Sequence, residues 1–518
     1  MKTDEKKPIL MLGMDAAEVS LIEKFSSEGK LPAIQSLKQK GYFSRLESTA
    51  PGFAGGVWPT FYTGRDVPYH GIYHGIIWRQ EKMRSEIIDD SWVDVKPFWE
   101  YMNPGEVKMA IIDVPLLPKT PRVENGLHIS GWQSHDRVIK QSWPRDLWSK
   151  LESEFGPPAM PEEREMGGEQ TIEKLEKSRE QILGSVRQIG DIGGKLFARE
   201  HWDLFFLALG APHRVGHLFW NTSQLDKMGA PEKKLKKIRN TILEVYQACD
   251  RVIGDLVDKA PDGTRIMVFA NHGMGTNPGW QNYLDQMLEK IAQEEDKESG
   301  RKGLLQTVEG FLPTQLVDRA VSRLPLGLRK YLSRIYHSNQ YEWENTRFFP
   351  LPSDPAGYLR INLKGREKDG IVESEEEYYA LCDKLKKDFL GFRDMETNEP
   401  IVDDIYHVDD FAPENAPYRH RLPDLIVNWG ERSVINSPGI YSEDYGEIAL
   451  DNDGELPTGR SGNHAGKGWI VASGDEVTKG VSECEPNIMD LAPTIFDWFG
   501  LDQREEFQGN PIAHLVEG

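Results

Sequence analysis

Short apolar runs that end in turn-forming residues recur along this chain and alternate with longer amphipathic stretches. PILMLGMD (8–15) closes on an acidic turn, as expected of a strand buried on both faces of a parallel sheet. KMAIIDVPLL (108–117), WDLFFLALG (202–210) and TRIMVFAN (264–271) repeat the pattern, and residues 42–48 predict another strand. Helical periodicity covers 17–40, interrupted at Gly29–Pro32, and then 168–199 and 232–259, each just ahead of one of the last two strands. Strands alternating with helices predict an α/β fold, a mostly parallel sheet sandwiched by helices.

Between 280 and 345 the pattern changes to charge-rich helical segments without a clear buried strand, which reads as a helical insertion or lid. Strand-like character returns with GYLRINLKGRE from 357 and LPDLIVNW (422–429). GWIVASG (468–474) and the helix IMDLAPTIFDWFG (488–500) then close the core. Residues 1–279 and 346–518 are thus expected to form the core, with 280–345 set apart.

Composition narrows the function classes. The chain has 518 residues, with 62 Lys and Arg against 83 Asp and Glu, a net charge of −21. A broad basic surface for a nucleic acid polymer is not expected on so acidic a chain. Three scattered cysteines, Cys249, Cys382 and Cys484, argue against a disulfide scaffold and against thiolate metal sites. The apolar run near the N-terminus is shorter than the roughly 7–15 residues of a secretory signal. No stretch approaches the roughly 20 apolar residues of a membrane span. These features read as a soluble, cytoplasmic protein without a membrane partner.

Candidate chemistry lies in four segments: MLGMDAAEVS (11–20), APHRVGHLFW (211–220), FANHGMGTN (269–277) and GRSGNHAGKG (459–468). Most follow an apolar run, and strand ends of an α/β sheet gather at one edge. Asp, His and Asn side chains meeting there would hold one or two divalent cations, pointing to a metal-dependent hydrolase. His213 and His217, spaced i, i+4, face one side of a helix, and His464 offers a third nitrogen, a donor set suited to zinc. Asp15 is also placed to cap a helix. His135 with Asp136 would make an oriented base, or an ordinary hydrogen-bonded turn. His70 and His74 read as loop-ordering residues. Arg360, Asn362 and Arg366 would contact an anion or guard a sheet edge.

These segments resemble the alkaline phosphatase superfamily, in its type I phosphodiesterase/nucleotide pyrophosphatase branch. The resemblance rests on the order of the strand ending at Asp15, GKLPAIQSLKQKGYFSRLESTAP, VWPTFYTGRDVPYHGIYH, HRVGH, NHGMG, LPDLIVNW and GNH. It implies two metal ions flanking a Ser or Thr nucleophile at a helix N-terminus. One site would use Asp15 and His272, with Asn271 at a position usually Asp. The other would use His213, His217 and His464, with His213 also at a position usually Asp.

The nucleophile position falls on Ala54, which has no hydroxyl and cannot form a phospho-enzyme. Thr49 and Thr60 are the neighbouring hydroxyls. Gly52, Gly55 and Gly56 suggest that backbone N–H groups there still bind an anion, with Asn463 as a further contact. Two readings follow. One is a hydrolase of a small anionic phosphoric ester, a phosphodiester or nucleotide-like substrate, attacked directly by metal-activated water or through His135. The other is an inactive relative that binds an anionic ligand or a partner.

Overall fold

The computed structural model describes residues 7–299 and 341–516, except 89–91, 93–94, 103–104, 118–122, 134–139, 162–169, 224, 226–228, 451–458 and 482–484. The chain divides into two compact units. The first takes in Met1–Ile72, Asp89–Asn277 and Gly454–Gly518, and the second Tyr73–Ile88 and Pro278–Asp453. The second unit is longer than the 280–345 insertion read from the sequence, and of that insertion 300–340 lie outside the described residues.

A nine-stranded sheet organises the first unit. Its five middle strands, Arg265–Ala270, Ile9–Met14, Leu204–Leu209, Met109–Ile112 and Gly126–Ser130, pair in parallel in that order. Gly468–Ser473 runs antiparallel between Arg265–Ala270 and Tyr42–Leu46, and Gln141–Trp143 closes the far edge antiparallel. The continuous apolar runs are explained by burial on both faces: every residue of Ile9–Met14 and of Leu204–Leu209 is buried. Leu10, Leu12 and Met14 join one core with Ile22, Ile34, Ile182 and Ile253, while Ile9 and Met11 join another with Trp58, Phe61 and Ile495. The sheet is therefore mixed, mostly parallel, and covered by helices on both sides.

Local chemistry sets the helix boundaries. Helix Val19–Ser27 ends before Gly29, whose φ is +70°, and Pro32–Lys40 restarts with proline in its first turn. Leu31, at that helix's N-cap, offers no side-chain acceptor; Asp250 supplies one instead, accepting from the Ala33 and Ile34 N–H groups at 3.1 and 2.9 Å. The stretch read as one helix over 232–259 is two, Glu232–Arg239 and Thr241–Val257, split at Asn240. Among the described residues no helix is long and apolar enough to cross a membrane.

In the second unit, Phe348–Leu351, Gly357–Ile361, Leu425–Trp429 and Val402–His407 form an antiparallel four-stranded sheet. The segments at 357 and 422 therefore do not extend the parallel sheet. A short link between the first two of these strands is enough for an antiparallel pair, whereas a parallel pair needs a crossover of a dozen residues or more.

His128, on Gly126–Ser130, is fully buried with neither ring nitrogen hydrogen-bonded, and burial pushes its pKa from 6.5 down to about 3. Between those values the unfolded chain binds the extra proton, so stability rises with pH there and is lost as pH falls from 6.5 toward 3. His128→Leu is expected to flatten the pH dependence of the unfolding free energy by up to about 1.4 kcal/mol per pH unit in that window. Urea denaturation at a series of pH values measures this, and an unchanged slope would contradict the assignment.

Candidate metal centre

Three neighbouring parallel strands bring chemistry to one edge of the sheet. Asp15 directly follows Ile9–Met14, His272 lies just past Arg265–Ala270, and Leu204–Leu209 leads into the helix Ala211–Phe219 that carries His213 and His217. His464 arrives on Gly462–Ala465, which pairs antiparallel with Gly273–Thr276 and sets His464 opposite Met274. Two glycines permit the close approach of this hairpin to the helix. A Cβ on Gly462 would lie 2.3 Å from the Gly216 carbonyl oxygen and 2.6 Å from Trp220 Cβ. One on Gly216 would lie 2.7 Å from Met274 Cγ.

The result is a cluster of imidazoles. His213, His217 and His464 each offer a ring nitrogen, all within 4.8 Å of one another. His217 Nε2 is 2.9 Å from His213 Nε2, which is 3.3 Å from His464 Nε2. His217 Nδ1 donates to the Gly462 carbonyl at 2.9 Å, since a carbonyl only accepts; the hydrogen of the neutral ring is therefore on Nδ1. His213 Nδ1 faces Asp15 Oδ2 at 3.3 Å, which fixes the same tautomer in that ring. Both Nε2 atoms then carry lone pairs, and they stand 2.9 Å apart. Burial, then the Arg460 charge and the neighbouring imidazoles, holds the His217 pKa well below its ordinary value. Two neutral lone pairs this close repel unless a cation sits between them, so the donor set fits a divalent metal ion.

Further groups complete the surroundings. Asp15 Oδ1 accepts from Trp58 Nε1–H at 2.7 Å, and His272 Nε2 is 2.8 Å from His464 Nδ1. Asn271 is fully buried, and neither atom of its amide has a hydrogen-bond partner. Sequence reasoning missed Trp58 and Glu18. The Glu18 carboxylate lies over Gly273, where a Cβ would stand 1.9 Å from Oε2. Its only sequence signal was an acidic residue one helical turn after Asp15.

Other candidates are placed differently. Ala54 opens the 3-10 turn Ala54–Gly56, just after the helix Ala50–Phe53 that packs against the His464 strand. Thr60 is buried and tied to His70 at 3.0 Å, while Thr49 Oγ1 is buried without a hydrogen-bond partner. His70 Nδ1 accepts from the Ile72 N–H, and burial pushes its pKa down to about 3, in keeping with a loop-ordering residue. Gly56 is needed for packing: a Cβ there would lie 2.7 Å from Val67 Cγ2. Asn463 Oδ1 accepts from the His464 N–H. His135 and Asp136 lie outside the described residues.

Arg360 and Arg366 are engaged by acids and carbonyls of their own unit, and Gly357–Ile361, which carries Arg360, is an inner strand of its sheet rather than an edge. Arg360, fully buried in the second unit, bonds Glu367 at 2.8 Å, and Arg366 grips Asp424 at 2.6 and 2.7 Å. Burial opposes ionisation of Asp424, but Arg366 outweighs it and holds the pKa at about 2. Asn362 Nδ2 donates to the carbonyls of Trp343, Thr346 and Asp369. Paired buried charges look the same in sequence as free ones on an edge strand.

Residues 9–442 match the type I phosphodiesterase / nucleotide pyrophosphatase family. The chain belongs to that family. Among solved structures it is similar to the alkaline phosphatase PafA, with a TM-score of 0.55, 12% identity and 100% of both chains covered. It is also similar to the phosphonoacetate hydrolase of Sinorhizobium meliloti 1021 in complex with phosphonoformate, at 0.50 and 14%, covering 96% of this chain and 95% of that one. Human ectonucleotide pyrophosphatase / phosphodiesterase 5 matches at 0.48 and 13%, over 98% and 99%. No curated protein matches the chain. The fold is alkaline phosphatase-like, and the imidazole cluster stands within a family of phosphoester hydrolases.

Because the Gly462 carbonyl holds His217, the fit at this glycine should control the cluster. Gly462→Ala is expected to destabilise the chain by roughly 1–3 kcal/mol, the usual cost of overpacking. Chemical denaturation measures it, and an unchanged midpoint would show that the hairpin can move away from the helix at no cost.

Proposed function

We propose that this protein is a metal-dependent hydrolase of small anionic phosphoric esters, with a phosphodiester or nucleotide-like substrate. The observation that carries the reading is the convergence of the His213, His217 and His464 Nε2 atoms, two of them with their hydrogens fixed on the far side of the ring. Imidazole donors favour zinc, or a similar borderline cation, over magnesium. Such an ion supplies Lewis-acid charge for the phosphoryl oxygens and lowers the pKa of bound water. His213 and His217 are buried and His464 is partly exposed, so the substrate's approach is from the His464 side.

Ala54 removes the hydroxyl that would form a covalent intermediate, which leaves direct attack by water. The same alanine, with the neutral Asn271, favours a second reading, a family member that binds an anion without turning it over. Activity separates the two.

Purified protein loaded with zinc is expected to hydrolyse bis(4-nitrophenyl) phosphate slowly, to lose that activity on chelation, and to regain it on adding zinc back. His217→Ala is expected to lower metal affinity by more than the ~10–100-fold that even outer-sphere changes cost, with the circular dichroism unchanged. Ala54→Thr is expected to raise turnover or to allow a phospho-enzyme to be trapped. Ligand binding by calorimetry with no turnover in either form supports the second reading. Turnover that survives metal removal contradicts both.

A further inference from the structure

We infer that the centre holds a single ion, and that Asp15 and His272 position its ligands rather than bind a second ion. The inference rests on the preceding reading, that metal sits among the three imidazoles. Each ring that offers Nε2 has its Nδ1 held by a different acceptor. The Gly462 carbonyl holds His217 at 2.9 Å, Asp15 Oδ2 holds His213 at 3.3 Å, and His272 Nε2 holds His464 at 2.8 Å. Nδ1 and Nε2 point away from each other across the imidazole, so a group bonded to Nδ1 stands behind the ring and not beside the ion. Outer partners of this kind fix the tautomer and orientation of a ligating histidine and raise its basicity.

This arrangement leaves little for a second ion. Asp15 is buried, with one oxygen on Trp58 Nε1–H at 2.7 Å and the other on His213. With His464 Nε2 turned to the ion, His464 Nδ1 carries the ring hydrogen and His272 Nε2 must accept it. That nitrogen's lone pair is then spent. Asn271 is an uncharged amide and a weak donor to a cation. Among the described residues no carboxylate joins the three-histidine group. Two divalent ions would bring four positive charges beside the single negative charge of Asp15, an expensive excess in a buried site.

Metal analysis after equilibration with zinc tests this. The native chain is expected to bind one ion, and Asp15→Asn still one, with affinity reduced ~10–100-fold. The absorption spectrum of the cobalt(II)-loaded protein is expected to keep its shape in Asp15→Asn, because the ligand set is unchanged. His272→Gln, which keeps an acceptor oxygen, is expected to restore most of the affinity lost in His272→Ala, and it carries the test should the Asp15 variant fail to fold. Two ions per native chain would overturn the single-ion assignment while leaving the metal-hydrolase reading intact. An altered cobalt spectrum in Asp15→Asn, or unchanged affinity in both the Asp15 and His272 variants, would overturn the positioning roles. A native chain that binds no metal would overturn this inference and the reading beneath it.

Discussion

The centre depends on how closely the hairpin Gly273–Thr276/Gly462–Ala465 lies against the helix Ala211–Phe219. Gly216 and Gly462 face one another there without side chains, and a Cβ on Gly462 would overlap the Gly216 carbonyl at 2.3 Å. That approach lets a backbone carbonyl reach His217 Nδ1, and the hairpin register puts His464 above the same helix. Any bulk in the seam would push His464 outward and break the set of Nε2 atoms. The parallel sheet supplies the platform, but this contact turns neighbouring histidines into a cluster.

Much of this was legible in the chain. Continuous apolar runs at 8–15, 202–210 and 264–271 marked strands buried on both faces, and their ends carry Asp15, His213 and His272 as expected. The i, i+4 pair His213 and His217 needed only helical geometry, and the break at Gly29–Pro32 needed only the chemistry of those two residues. What stayed hidden arises when distant segments meet. The indole of Trp58 on Asp15, the Gly462 carbonyl on His217 and the Glu18 carboxylate over Gly273 have no local pattern. Arg360 and Arg366 misled for the opposite reason, since a charged strand does not reveal that Glu367 and Asp424 are buried with it. The split at Asn240 escaped because both halves keep one hydrophobic stripe.

The donor set departs from the family resemblance in one direction. Where that resemblance implies carboxylates, this chain has His213 and Asn271, and where it implies a hydroxyl it has Ala54. Each change removes negative charge or a nucleophile while leaving the surrounding backbone able to pack: Ala54 is buried and Asn271 fully so. Neutral imidazoles are softer and less charged donors than carboxylates, which is why the ion proposed for them is a borderline one. Family membership and chemical outcome are therefore separate questions in this protein.

The interleaved order of the sheet also has a bearing on biosynthesis. Gly468–Ser473 fills the position between Tyr42–Leu46 and Arg265–Ala270, so these two strands stay apart until residue 473 has left the ribosome. His464 belongs to the same late segment, while His213 and His217 emerge far earlier. His213 and His217 thus leave the ribosome well before His464, and the three-histidine group proposed to hold an ion is complete only once Gly462–Ala465 has joined them. The metal would then serve as a latch on the finished fold, favouring the closed sheet over incomplete ones by mass action.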